Sequence, residues 1–138
     1  MSAFEFLDSN VIIYAYSAIA TQHQEAARRR VTEAIQGNGV ISTQVLSEVS
    51  AALLHKVKPT LSPESVTEVL DAIGPIRTII PDPRIVRRAI EAHVRYGLHF
   101  YDGMIIAAAE RAGCKILWSE DMNPGQSYFG VTVQNPFA

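Results

Sequence analysis

Short apolar runs of strand length alternate along this chain with longer segments whose apolar residues recur at helical spacing, and this alternation restricts the fold more than any other feature. Phe4-Glu5-Phe6-Leu7 reads as a first strand ending at Asp8, followed by a short helix through Val11, Ile12, Tyr14 and Ala15 that Ser9 or Asn10 would cap. Thr21 and Gln24 have the spacing of a capping box. Behind them Ala27, Val31, Ala34 and Ile35 share a helix face that stops near Gly37. Val40-Ile41 is a second strand and leads into a helix from about Thr43 to Val57. Ser62-Pro63 and Asp82-Pro83 each set a capping side chain before a proline at the first helical position. The core stripe of the first of these helices is Val66, Val69, Leu70 and Ile73; that of the second is Ile85, Val86, Ala89, Ile90 and Val94, and Ile76–Ile80 is the strand between them. A last helix is expected over Tyr101–Ala112, then a strand at Lys115–Ser119, a turn at Asn123-Pro124-Gly125 and a short strand at Val131–Val133. Such alternation predicts an α/β fold with a mainly parallel sheet covered on both faces. Ligands in such sheets bind beyond the carboxyl ends of the strands, where Asp8 and Asp121 fall.

A chain of 138 residues suits one domain, spanning 1–138, and can bury roughly 68–70% of its unfolded surface. Hydrophobic residues at 48% against 19% charged exclude a disordered chain. No apolar run reaches the roughly 20 residues of a membrane span. The start, Met1-Ser2-Ala3-Phe4-Glu5, lacks the basic segment and long apolar stretch of a secretory leader. With Cys114 as the single cysteine there is no internal disulfide, and a cytoplasmic location is the default expectation. A net charge of −2 argues against holding nucleic acid by bulk positive charge, yet leaves room for a carboxylate cluster that a divalent ion neutralises.

Four acids stand out. Glu48 lies beside Val45, Val49, Ala52 and Leu53 on the apolar stripe of its helix, where a lone carboxylate must be paired, protonated or bound to metal; Lys56 or an arginine would serve as a simple partner. Asp102 heads the apolar face formed by Ile105, Ile106 and Ala109, although an aspartate in a first helical turn is also favoured by the helix dipole. Asp8 and Asp121 could each be a turn or capping residue. Taken together, two strand-end aspartates and two stripe-bound acids point to convergence, and convergent carboxylates at neutral pH need a cation. Oxygen ligands without a His or Cys cluster suit Mg²⁺ or Mn²⁺, an arrangement able to activate water for phosphodiester hydrolysis.

Basic residues are ambiguous. Arg84, Arg88 and Arg95 form one possible stripe for phosphate contacts, or pair with Glu91 and other acids. Arg28-Arg29-Arg30 reads as a solvated face or as an RNA or partner contact. Trp118 reads as core, His99 as a surface or core residue that could instead approach substrate, and Tyr14 and Tyr16 as buried residues or a partner surface.

Read in order, Phe6-Leu7-Asp8-Ser9-Asn10-Val11-Ile12-Ile13-Tyr14-Ala15, Ile41-Ser42-Thr43-Gln44-Val45-Leu46-Ser47-Glu48, Tyr101-Asp102-Gly103-Met104-Ile105-Ile106-Ala107-Ala108-Ala109 and Ile116-Leu117-Trp118-Ser119-Glu120-Asp121 resemble the PIN-domain nucleases, and among them the VapC-type toxins of toxin–antitoxin pairs. The resemblance covers nearly the whole chain. It implies a three-layer α/β/α fold with a central, mainly parallel sheet and an endoribonuclease that uses Mg²⁺ or Mn²⁺ to hydrolyse RNA. It implies that Asp8, Glu48, Asp102 and Asp121 are the catalytic, metal-ligating acids, with Glu120 the alternative to Asp121. It also implies supporting roles for Ser9, Asn10 and Ser119, a small antitoxin as partner, and a homodimer. A response-regulator receiver fits poorly, because Asp8 has no acidic neighbour and no aspartate ends the Ile76–Ile80 strand. A haloacid-dehalogenase phosphatase would need an acid where Asn10 stands. A PIN-like binding module without catalysis is the remaining alternative.

Overall fold

The computed structural model describes residues 3–19 and 21–138, so Met1 and Ser2 of the chain start discussed above lie outside the described residues. Six strands form one sheet: β1 (Glu5–Leu7), β2 (Gly39–Ser42), β3 (Arg77–Ile79), β4 (Ile116–Trp118), β5 (Ser127–Tyr128) and β6 (Val131–Gln134). Their order is β3-β2-β1-β4-β6-β5, with every neighbouring pair parallel except the β5–β6 hairpin. Six α-helices connect them: α1 (Ser9–Tyr16), α2 (Gln24–Glu33), α3 (Thr43–Ala51), α4 (Pro63–Ile73), α5 (Pro83–Tyr96) and α6 (Phe100–Arg111). Single wide π turns extend α2 over Ala34–Asn38 and α3 over Ala52–Lys56. The chain moves from β1 outward to β3, then returns across the sheet to β4. Right-handed crossovers therefore put α1–α4 on one face and α5–α6 on the other. Helix contacts agree, with α1 packed on α2 and α3, and α5 packed on α6.

This topology places a switch point between β1 and β4, whose carboxyl ends release Asp8 and the Ser119–Asp121 segment side by side. β2 is buried along its whole length, as a central parallel strand should be. Phe6, Leu7, Val40, Ile41, Leu117 and Val133 from the sheet meet Val11, Ile12, Val45, Val49, Ile105 and Ile106 from the helices in the core. No helix is long and apolar enough to cross a membrane among the described residues.

Both proline-led helices start as expected: Ser62 Oγ accepts from the Ser65 amide at 3.1 Å, and the Asp82 carboxylate from the Ile85 amide at 3.0 Å. Other expectations need correction. Asp8, not Ser9 or Asn10, caps α1. Thr21 and Gln24 form no capping box. Gln24 is buried, and its amide donates to the carbonyls of Tyr14 (3.3 Å) and Ser17 (3.0 Å), serving the orphaned carboxyl end of α1 instead of its own helix. The expected Thr43–Val57 helix is present as α3 and its π turn, which together run to Lys56 with Val57 as the cap. β5 escaped sequence reading because it is two residues long; it closes on β6 through Phe129 (φ 49°) and Gly130 (φ 82°), the left-handed pair a tight hairpin requires.

The largest departure is α5. Its buried residues are Ile85, Ala89 and Ala92, whereas Val86, Ile90 and Val94 are 39%, 51% and 79% exposed. Small side chains explain the rotation: a Cβ on Gly103 of α6 would sit 2.8 Å from the carbonyl oxygen of Ala89. The two helices approach backbone to backbone, which turns the bulky face of α5 outward. Gly103→Ala should therefore destabilise the protein by about 1–3 kcal/mol through overpacking, measured as the urea midpoint at constant m-value. A midpoint equal to that of the wild type would contradict this close approach.

Candidate active site

Asp8 leaves β1 with its amide bonded to the Trp118 carbonyl at 3.0 Å, so the first residue past β1 is tied to β4. Its side chain is buried. Oδ1 accepts from the Ser9 amide at 2.7 Å and Oδ2 from the Ser119 hydroxyl at 2.8 Å. Burial pushes the Asp8 carboxyl up to about 6; the Ser119 and Ser9 hydrogen bonds oppose the shift, and the charges of Glu48 and Asp102 add to it. Asp102, half-buried in the first turn of α6, is likewise raised, first by desolvation and further by Asp121, with His99 acting against it. Glu48 is half-buried one turn along from Val45 and beside Val49. The four acids thus form an electrostatic chain in which Asp8 feels Glu48 and Asp102, and Asp102 feels Asp121.

Asn10 organises the β4 side. Its Nδ2 donates to Asp121 Oδ2 at 3.0 Å and to Ser119 Oγ at 3.4 Å, while its Oδ1 accepts from the Glu120 amide at 3.3 Å. Ser119 Oγ also accepts from the Asp121 amide at 3.2 Å. The segment is therefore clamped, with Asp121 held by Asn10 and near enough for its charge to act on Asp102. Glu120 is drawn away, its carboxylate 3.6 Å from His23 Nε2 and bonded to the Tyr14 hydroxyl, which raises the Tyr14 pKa. Of the two acids that sequence left open, Asp121 is the one whose charge reaches Asp102.

Among the described residues, no lysine, arginine or histidine forms an ion pair with Asp8, Glu48, Asp102 or Asp121; Lys56 does not pair with Glu48. Nor, among those residues, does any group of three His, Cys, Asp or Glu side chains close into a ready-made metal cage. The donor chemistry nevertheless fits a hard divalent ion. The oxygens are all carboxylate, one is buried among like charges, and Mg²⁺ is commonly held by one or two carboxylates while keeping several waters.

Sequence reasoning did not single out Gln44, whose Nε2 donates to the Tyr101 carbonyl at 3.1 Å and so ties the start of α3 to the start of α6. The available signal was its position one turn before Glu48 on the same helix face. His99 caps α6, its Nδ1 accepting from the Tyr101 amide at 3.2 Å, and sits close enough to Asp102 to favour its charged form.

Of the two readings of the arginine stripe, Arg88 takes the ion-paired one. Arg88 donates to both oxygens of Glu110 at 2.9 Å and to Glu91 at 2.7 Å, and it stacks 3.5 Å over the Phe129 ring. With its donors committed, Arg88 serves the α5–α6 packing rather than a phosphate. Arg84 lines a hollow with Ile85, Arg88, Ala107, Glu110 and Arg111 that contains none of the four acids, and Arg95 lies exposed beside Tyr96. The Arg28–Arg30 run is also engaged: Arg28 with the Ala15 carbonyl, Arg29 with Glu25, and Arg30 with Glu33 and the face of Trp118. Trp118 is core, its indole N–H donating to Glu5.

Several solved structures share the fold. A toxin–antitoxin complex from Klebsiella pneumoniae superposes with a TM-score of 0.69 at 21% identity, covering 98% of each chain. VapC20 of Mycobacterium tuberculosis, described as a sarcin–ricin loop cleaving toxin, gives 0.66 at 18% identity over 85% of this chain and 91% of its own. VapBC2 of Rickettsia felis, bound to a DNA fragment from its promoter, gives 0.69 at 16% identity over 96% and 98%. No curated protein sequence is a significant match. The PIN domain model matches residues 6–124, which spans both clamped strand ends and α6 between them, and the chain belongs to the PIN domain family.

Proposed function

We propose that this chain is a Mg²⁺- or Mn²⁺-dependent endoribonuclease, the toxin of a toxin–antitoxin pair, with Asp8, Glu48, Asp102 and Asp121 as its metal-ligating and catalytic acids. The observation that carries this reading is Asp8: a buried carboxylate surrounded by like charges, with no cationic side chain beside it. Family membership supports a nuclease, since PIN domains are nucleases, and the toxin–antitoxin assemblies of similar fold support a small antitoxin partner. The cytoplasm is the proposed compartment.

Asp8, Asp102 and Asp121 would hold the ion, which when bound supplies Lewis-acid polarisation of the scissile phosphate and a lowered pKa for the attacking water. Glu48 completes the set or takes the proton from that water as general base. Ser119 and Ser9 hold the Asp8 carboxylate in one orientation, and Asn10 does the same for Asp121, the supporting role that sets ligand geometry. No covalent nucleophile is needed. Arg84 and Arg95 remain free to meet RNA phosphates. The outward stripe of Val86, Ile90 and Val94 on α5 supports a homodimer that covers this face. The open acid set, with no closed three-ligand cage among the described residues, is what favours the rival reading of a binding module without catalysis.

Cleavage of single-stranded RNA should require Mg²⁺ or Mn²⁺, stop in EDTA, and be abolished by Asp8→Asn or Asp102→Asn. Glu48→Gln should lower kcat about 10²–10⁴-fold in the general-base role. Ser119→Ala should weaken Mn²⁺ binding about 10–100-fold. Undiminished cleavage in EDTA, or by either aspartate variant, would exclude the proposal.

Stability offers an independent check. The folded Asp8 carboxyl is raised from 3.8 to about 6. The metal-free fold therefore binds this proton more tightly than the unfolded chain, so its stability is greatest below pH 4 with respect to this group and falls as pH rises through 6. The loss is on the order of 3 kcal/mol. Asp8→Asn should make the metal-free protein more stable than wild type at pH 8, and Mn²⁺ should reverse that ranking by stabilising wild type alone. Equal denaturation midpoints at pH 8 without metal would show that Asp8 carries no such burden.

A further inference from the structure

Beside the acid set lies a cleft of about 490 Å³ between α1 and the segment that follows α3. Ile13, Ile19 and Val57 give it apolar walls, Tyr14 and Lys58 line it with polar ends, and Asn10 and Asp121 belong both to this cleft and to the candidate active site. Ile19 is 58% exposed, so the apolar wall faces an accessible space. Its size and mixture of apolar walls with a few polar groups are those of a small-molecule subsite.

We propose that this cleft is a nucleobase subsite, taking the unstacked base of the nucleotide adjacent to the phosphate at the acids; the inference rests on the ribonuclease reading and names where its substrate extends. Three observations carry it. First, Asn10 and Asp121 line the cleft and also belong to the acid set, so the cleft opens next to where a phosphate at the acids would lie. Second, the apolar walls and the carboxylates of Glu120 and Asp121 at the rim repel a phosphate but accept the flat face of a base. Single-stranded RNA is characteristically read through such splayed bases. Third, the carboxylates of Glu120 and Asp121 keep acceptor lone pairs beyond their bonds to Tyr14 and Asn10, and these match the exocyclic amino groups of cytosine, adenine and guanine, whereas uracil offers only its N3–H between two carbonyls. Lys58, the only cation lining the cleft among the described residues, is placed to meet the next phosphate.

The test is fluorescence anisotropy of labelled hexaadenylate on the full chain in Ca²⁺, with a series in which each position in turn is abasic. One abasic position should weaken binding about 5–150-fold, the range of a single stacked base, and uracil at that position should also weaken it. Val57→Trp, which fills the cleft, should bind intact and abasic RNA alike. Ile19→Asp, at an exposed wall that spares the fold, should do the same. Equal binding of every abasic RNA by wild type would overturn the subsite, as would variants that still discriminate; a cleft reserved for a protein segment gives that result. RNA bound with this base dependence but left intact in Mn²⁺ would overturn the nuclease reading and leave the subsite standing. A chain that binds no hexaadenylate overturns both.

Discussion

Three hydrogen bonds to Asp8 hold the end of β1, the start of α1 and the end of β4 in one place. The amide binds Trp118, and the carboxylate takes the Ser9 amide and the Ser119 hydroxyl. Parallel strands leave a crevice where the chain reverses direction across the sheet, and here the residue that closes that crevice is also an acid. The cost is electrostatic. Water is excluded, and Glu48 and Asp102 lie near enough to oppose ionisation. A group that served only to cap α1 would sit better as an exposed aspartate or a serine. The strain on Asp8 is the physical reason to place a cation there.

The helices around this point are arranged to keep the other acids in range. Gln44 links α3 to α6 beside Tyr101, so the helices bearing Glu48 and Asp102 cannot drift independently. Gly103 allows α6 to press against α5 immediately after Asp102, which fixes the height of that acid in the crevice. Asn10 reaches across to the β4 side and separates the duties of two neighbouring acids, Glu120 toward His23 and Tyr14, Asp121 toward Asp102.

Element order was readable because it rests on local chemistry. Periodicity marked the helices, and Ser62-Pro63 and Asp82-Pro83 marked their starts. What was hidden depends on contacts between distant residues. The rotation of α5 follows from Ala89 meeting Gly103, which no periodicity within α5 reveals, since Val86, Ile90 and Val94 fit a core stripe equally well. Gln24 looked like half of a capping box but was taken by carbonyls of another helix. Arg88 was equally compatible with phosphate and with Glu110 until the fold brought Glu110 to it. The different surroundings of Glu120 and Asp121 depend on Asn10, more than a hundred positions away.

Since burial raises the Asp8 carboxyl to about 6 and raises Asp102 as well, an ion bound there competes with protons. Calorimetric titration with Mn²⁺ at pH 6, in buffers of different ionisation enthalpy, counts the protons displaced directly. Wild type should bind Mn²⁺ with release of protons, and Asp8→Asn should lower that release together with most of the affinity. Absence of Mn²⁺ binding, or a proton release unchanged by Asp8→Asn, would contradict a metal centre built on Asp8.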